Sequence, residues 1–209
     1  RTISPPAGSC TPSLASSILV IGAVLDTTRV ATTEVKHLAP EEEPVMAPDT
    51  PETPADFAIR PARPDEAAAL SALALRSKGH WGYDAAFLAA CRAELTFSPD
   101  DLIDALTFVA DAPDGPAGFY RLLVQENGVA ELDDLFVDPA FIGRGVGKRL
   151  WQHAVAQAAA LGCTEMTIQS DPFAEGFYRA MGAERVGERE SGSVPGRMLP
   201  LLRYGLGSR

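Results

Sequence analysis

From Phe57 onward, apolar and polar residues alternate in short runs separated by helical spacings, the pattern of a compact α/β domain. Val146, Leu150, Ala154 and Ala158 recur every fourth residue with Val155 beside them, which predicts a helix with one apolar stripe. Gly162 follows where a left-handed C-cap belongs. Ahead of that helix, Val129 to Val137 reads as a strand running into a glycine-dense turn, AFIGRGVG.

The remaining elements follow from the same periods. FAIRPAR reads as a first strand, and Pro64-Asp65-Glu66 opens a helix whose apolar face is Leu70, Leu73 and Ala74. Tyr83 to Leu95 predicts a second helix, Ala105 to Ala110 a strand, and Gly118 to Gln125 another after the turn Pro113-Asp114-Gly115-Pro116. Glu126-Asn127-Gly128 is hairpin chemistry, because Asn-Gly takes the positive φ of a type I′ turn. Thr164 to Gln169 is a further β run, a short helix carries Phe177, Tyr178 and Met181, and Met198 to Tyr204 is the last strand. The expected fold is α/β, with helices interrupting a mixed sheet over residues 56–209.

Residues 1–55 are different. They are rich in Pro, Ser and Thr, contain Glu41-Glu42-Glu43 and end in PDTPETPAD, so the expectation is a disordered extension unable to bury enough apolar surface to offset its chain entropy. Its one apolar run, Ile18 to Leu25, is too short to span a bilayer and lacks the basic flank and cleavage site of a signal peptide. No membrane association is expected.

Charge narrows the partners. With 18 basic and 28 acidic side chains the net charge is −10, which argues against generic nucleic-acid binding. Cys10, Cys91 and Cys163 have no paired spacing, and His37, His80 and His153 are scattered, so neither a disulfide framework nor a metal site is expected. A cytoplasmic protein is the natural inference.

The glycine turn carries the first chemistry. The first amides of a helix lack intrahelical partners and sit at the positive end of its dipole, so they bind anions. Gly143, Gly145 and Gly147 let a phosphate approach the backbone, and Arg144, Lys148 and Arg149 add positive charge. A Walker A loop is excluded, because Ile142 stands at its required glycine and Arg149 follows the lysine. A dinucleotide GxGxxG fails too, since Lys148 and Leu150 stand where the third glycine would be.

At these residues the chain resembles the GNAT superfamily of acyl-CoA-dependent N-acyltransferases. The family motif, Arg or Gln followed by x-x-Gly-x-Gly, falls on Ile142-Gly143-Arg144-Gly145-Val146-Gly147, with Ile142 in place of the Arg or Gln. A second family pattern falls on Asp171, Ala174, Tyr178 and Gly182, with Asp171 in place of Asn. The resemblance covers residues 57–205. It implies a central mixed, mostly antiparallel sheet flanked by about four helices, and acetyl-CoA as cosubstrate without a metal.

By resemblance, Ile142 to Lys148 together with Asp171, Ala174 and Tyr178 bind the cofactor, and main-chain groups at Leu135, Phe136 and Val137 hold the thioester. Tyr178 becomes the acid that protonates the leaving thiolate, a role a neutral phenol can fill. Glu131 is placed as the base, with Asp133 and Asp134 as further candidates; strand alternation sets Glu131 and Asp133 on one face and Asp134 on the other. The loop from Ser77 to Tyr83, with His80, Trp81 and Tyr83, is read as acceptor-binding. Arg197, in the loop before the last strand, suits an anionic group on the acceptor. The implied reaction is acetyl transfer from acetyl-CoA to the primary amine of a small molecule by direct attack, with a homodimer admitted. The alternatives are a noncatalytic acyl-CoA-binding module, or the same fold with another acyl group or acceptor.

Overall fold

The computed structural model describes residues 57–125 and 127–207, so the readings for residues 1–55, for Cys10 and His37, and for Glu126 lie outside the described residues. Seven strands form one sheet: β1 (Ala58–Pro61), β2 (Leu106–Ala112), β3 (Gly115–Val124), β4 (Val129–Val137), β5 (Glu165–Gln169), β6 (Glu184–Glu190) and β7 (Met198–Gly205). Their order is β1-β2-β3-β4-β5-β7-β6, and every neighbouring pair is antiparallel except β4 and β5. The helices are α1 (Ala67–Gly79), α2 (Ala85–Cys91), α3 (Pro99–Asp104), α4 (Val146–Ala160) and α5 (Glu175–Ala180). None of the described helices is long and apolar enough to cross a membrane.

The sheet is covered on both faces. The apolar stripe of α4, Val146, Leu150, Ala154 and Ala158, packs with Leu132, Leu135 and Val137 of β4 and with Tyr178 of α5. On the other face, Leu70, Leu73 and Ala74 of α1 pack with Leu102 of α3 and with Phe119 and Phe136 of the sheet. Burying such side chains contributes about 1.5–3 kcal/mol each, which is what holds two otherwise marginal layers on the strands. Gly118 sits where α4 presses on the sheet. A Cβ there would lie 2.7 Å from the Phe136 carbonyl oxygen and 3.0 Å from Leu150, so only glycine permits this approach.

Helix ends follow local chemistry. After α4, Cys163 N–H donates to Ala158 O (3.1 Å) and Gly162 N–H to Ala159 O (3.0 Å), the paired bonds of a Schellman cap. A 3₁₀ turn at Pro64–Glu66 leads into α1, where Glu66 accepts from Arg63 N–H (2.7 Å) and ion-pairs with Arg60 (2.7 Å).

The structure corrects two expectations and adds two elements. The helix expected over Tyr83 to Leu95 shortens to α2, capped by Asp84, whose carboxylate accepts from Phe87 N–H (2.8 Å). α3 raises the described helices to five. Its signal is the capping box at Ser98 and Asp101, where Ser98 N–H donates to the Asp101 carboxylate (2.6 Å), yet its six residues are too few to show a period. β6, sequence ERVGERE, has no apolar alternation because every side chain is exposed; pairing with β7 makes it a strand. The residues read as a loop at Ser77 to Gly79 are the last turn of α1.

Candidate active site

The site begins where two strands part. β4 and β5 pair over four positions, from Val129 opposite Glu165 to Leu132 opposite Ile168. At that point β4 bulges: Leu122 of β3 faces Leu132 and Arg121 faces Asp134, so Asp133 is an extra residue. A bulge bends and twists its strand. Beyond it β4 keeps β3 as a neighbour but loses β5, which pairs onward with β7. Asp138 N–H donates to Ala117 O (2.9 Å), so alternation turns the main chain of Phe136 toward β3 and that of Leu135 and Val137 toward the gap. Ser77 Oγ donates to Val137 O (2.8 Å). The N–H and C=O of Leu135 and the N–H of Val137 thus open onto the gap, whereas Phe136 buries its ring with α1.

The glycine turn closes one end. Gly143 and Gly145 have φ of 82° and 78°, a region that glycine enters without strain, and Gly145 is the N-cap of α4. Arg149 N–H to Gly145 O (3.1 Å) is the first bond of the helical ladder, so the amides of Val146, Gly147 and Lys148 lie ahead of it. They border a cavity of about 240 Å³ lined by Val137, Ile142, Gly143, Gly145, Gly147 and Phe177 among others. A Cβ at Gly143 or Gly145 would meet no atom within 4 Å, so the cradle is open to a ligand. Arg144 and Lys148 are exposed beside it. Arg149 is turned away, its guanidinium over the Phe57 ring (3.9 Å) and bonded to Phe57 O (3.2 Å).

Tyr178, in α5, is 1 % exposed and packs against Trp151 and Phe177 at ring separations of 5.4 and 5.2 Å. Burial, with the Asp134 charge adding to it, holds its phenol well above the usual range, so it stays a neutral donor. Ala174, fully buried, is the N-cap of α5.

The candidate bases separate. Glu131 lies in the paired half of β4, its carboxylate bonded to Arg189 of β6 (2.7 Å) and reached by Gln125 (3.4 Å). Asp133 and Asp134 lie at the bulge, and both reach Arg121 Nη1, at 3.3 and 2.9 Å. The alternation expected for this strand is therefore broken by the bulge. The Asp134 side chain is fully buried and its Oδ1 has no hydrogen-bond partner. Burial pushes its carboxyl up to about 6 against the pull of Arg121.

The other wall is a polar cluster inside an aromatic box. Lys78 is 2 % exposed and its Nζ bonds Asp171, itself fully buried, at 2.9 Å. Tyr83 Oη donates to the same carboxylate (2.9 Å) and accepts from Arg197 Nη2 (2.6 Å). Phe173 N–H also donates to Asp171 (3.1 Å). The Asp171 carboxylate is thus occupied by Lys78, Tyr83 and the Phe173 N–H. Trp81 stacks on Phe173 at 5.4 Å, and Tyr83 on Phe87 at 4.1 Å. His80 is exposed, edge-on to Trp81, and takes no part in the cluster's bonds. Burial pushes the Cys91 thiol up, away from the thiolate a nucleophile needs.

The structure therefore brings together Leu135, Val137, the glycine turn and Tyr178 on one side, and Trp81, Tyr83, Asp171 and Arg197 on the other. Sequence reasoning passed over the roles of Lys78 and Arg121. The signal was a charge set in an apolar context: an Arg within GFYRLLV, and a Lys closing an apolar helix face.

Proteins similar to this chain are acetyltransferases. Residues 76–183 match the family model described as Acetyltransferase (GNAT) family. The peptidyl-lysine N-acetyltransferase YjaB of Salmonella typhimurium is 37 % identical over 115 residues, covering 54 % of this chain and 74 % of that protein. The mycothiol acetyltransferase of Kineococcus radiotolerans is 36 % identical over 144 residues, 65 % of this chain and only 45 % of that protein. Among solved structures, the PaiA N-acetyltransferase of Thermoplasma acidophilum in complex with coenzyme A superposes with a TM-score of 0.62, covering 72 % of this chain and 99 % of that one, at 19 % identity.

Proposed function

The chain belongs to the acetyltransferase (GNAT) family, and we propose that it moves the acetyl group of acetyl-CoA to the primary amine of a small molecule by direct attack in a ternary complex. The observation that carries this reading is the gap beside β4, with backbone donors at its edge, a neutral Tyr178 on one face and the buried Asp134 carboxylate on the other.

The pieces divide the work. The amides of Val146 to Lys148 hold the pyrophosphate, as helix N-terminal amides do for phosphates generally. The N–H groups of Leu135 and Val137 stabilise charge developing on the acyl oxygen, a contribution of several kcal/mol in a water-poor site. Acetyl-CoA supplies the activated acyl group and a thiolate leaving group. Tyr178 donates its proton to that sulfur and regains one from the attacking nitrogen as the tetrahedral intermediate collapses to the amide. Asp134 takes the proton of the incoming ammonium, whose own pKa is about 10 in water. We assign the base to Asp134 and not Glu131 because Asp134 Oδ1 lacks a partner at the open half of β4, while Glu131 is held by Arg189 in the paired half.

A second reading is favoured by the relative named for peptidyl-lysine: an acceptor lysine side chain on a protein. Mixing the chain with acetyl-CoA and either amines or lysine peptides, and following free thiol and product mass, separates the two. Tyr178→Phe is expected to lower kcat at least about tenfold while the Kd for acetyl-CoA stays within about twofold. Unchanged turnover would remove Tyr178 from the chemistry.

A further inference from the structure

We infer that the acceptor is a zwitterion of amino-acid type, and that Arg197, Lys78 and Trp81 form the subsite that takes its carboxylate. This deepens the acetyltransferase reading and rests on it.

The starting point is an imbalance of donors. Lys78 and Arg197 share the carboxylate of Asp171, at 2.9 and 3.5 Å, with Tyr83 held neutral by burial and the adjacent Asp171. Asp171 already accepts from Lys78, Tyr83 and Phe173 N–H, and has little capacity left for the second cation. Two buried donors in the same box have no acceptor: Arg197 Nη1 and Trp81 Nε1. A buried donor without a partner calls for a bound water or a ligand oxygen.

The walls agree. The Arg197 guanidinium lies over the Tyr83 and Phe87 rings, 5.2 and 4.7 Å from their centroids, and Phe173, half exposed, bridges Trp81 to Tyr83. Phe173 is the exposed edge of a box whose other rings make an apolar surround, where charge pairing is strong. Across the site the imbalance reverses. Asp134 Oδ1 is a buried acceptor without a hydrogen-bond donor. Arg121 Nε is also unbonded, but its guanidinium is stacked on Phe97 in the core, outside the box. An ammonium offers donors only and a carboxylate acceptors only, so one molecule carrying both satisfies both ends.

The test uses the full chain and matched probes: glycine, β-alanine and 4-aminobutanoate, each against its carboxamide, with O-phosphoethanolamine and a lysine peptide lacking a free carboxylate. Thiol release from acetyl-CoA is expected to give kcat/KM for the best acid at least about tenfold above its amide. Arg197→Gln should collapse that ratio toward one, and Arg197→Lys should restore part of it. Equal rates for acids and amides, an equal loss on both in Arg197→Gln, or preference for the phosphate or the peptide would overturn the subsite. Calorimetric titration of the same probes into CoA-saturated protein reads binding without turnover. Acids binding selectively with no thiol released would leave the subsite standing and remove the transferase reading.

Discussion

The two ends of the β4 gap are built from different materials. At the proposed cofactor end the groups on offer are main-chain amides, set by two left-handed glycines and the start of α4. At the acceptor end they are buried side-chain charges from α1, β3, β4, and the segments before α5 and β7. A backbone site tolerates side-chain changes that leave φ and ψ alone; a charge cluster tolerates almost none, because each ion is desolvated and depends on its partner. Ile142 stands where the resemblance places Arg or Gln, and Asp171, where it places Asn, has the buried Lys78 beside it.

The contrast can be broken most sharply at Gly145. Gly145→Val places a β-branched side chain at φ 78° and into the open cradle, and acetyl-CoA binding should fall by about a hundredfold or more in a calorimetric titration. Retained binding would show that the amides are not the main contact. At the other end, Asp134→Asn keeps the shape and removes the base, so kcat/KM should drop by about a hundredfold. The raised carboxyl also sets a pH limb. Below about 6 Asp134 is protonated and cannot accept, so wild-type kcat/KM should rise tenfold per pH unit up to about 6 and then level, and the limb should vanish in the Asn variant. A limb that survives the substitution would point to another group.

Asp171→Asn tests the charge cluster as a structural unit. It leaves Lys78, 2 % exposed, without its counter-ion, and breaking a buried pair costs about 3 kcal/mol. Urea unfolding should show that loss, with Lys78→Met in the same background recovering part of it. The smallest effect belongs to Ile142→Ala, expected to change the acetyl-CoA Kd by about twofold at most, because the amides and not this side chain carry the anion. A large loss there would erase the contrast between the ends.

The glycine turn and its flanking strand and helix were legible in the sequence because their determinants are contiguous. Strand, turn and helix run from Val129 to Ala160, and the glycine spacing, the apolar stripe and the C-cap each have a local physical cause. The acceptor end was legible only in outline. Trp81, Tyr83 and Arg197 stood out by composition, but Lys78 was read as a loop lysine and Asp171 as a cofactor contact. Their bond spans 93 residues, and no local period encodes it. α3 and β6 escaped for a related reason: one is too short for helical periodicity, and the other is exposed along its whole length, so neither carries a hydrophobic signature.

What the chain determines by itself is the backbone end of the site. The positive φ at Gly143 and Gly145 and the amphipathic stripe that docks α4 are properties of neighbouring residues, and they place free amides at a helix start in any context that buries that stripe. What only the tertiary structure decided is which carboxylate oxygen lacks a hydrogen-bond donor and which cations share one carboxylate. The bulge at Asp133 breaks the strand's alternation and brings Asp133 and Asp134 to one arginine, and the fold draws Lys78, Tyr83 and Arg197 onto Asp171. Desolvation depends on burial by distant segments, so the ionisation and pairing of these groups exist only once the sheet and helices have closed around them.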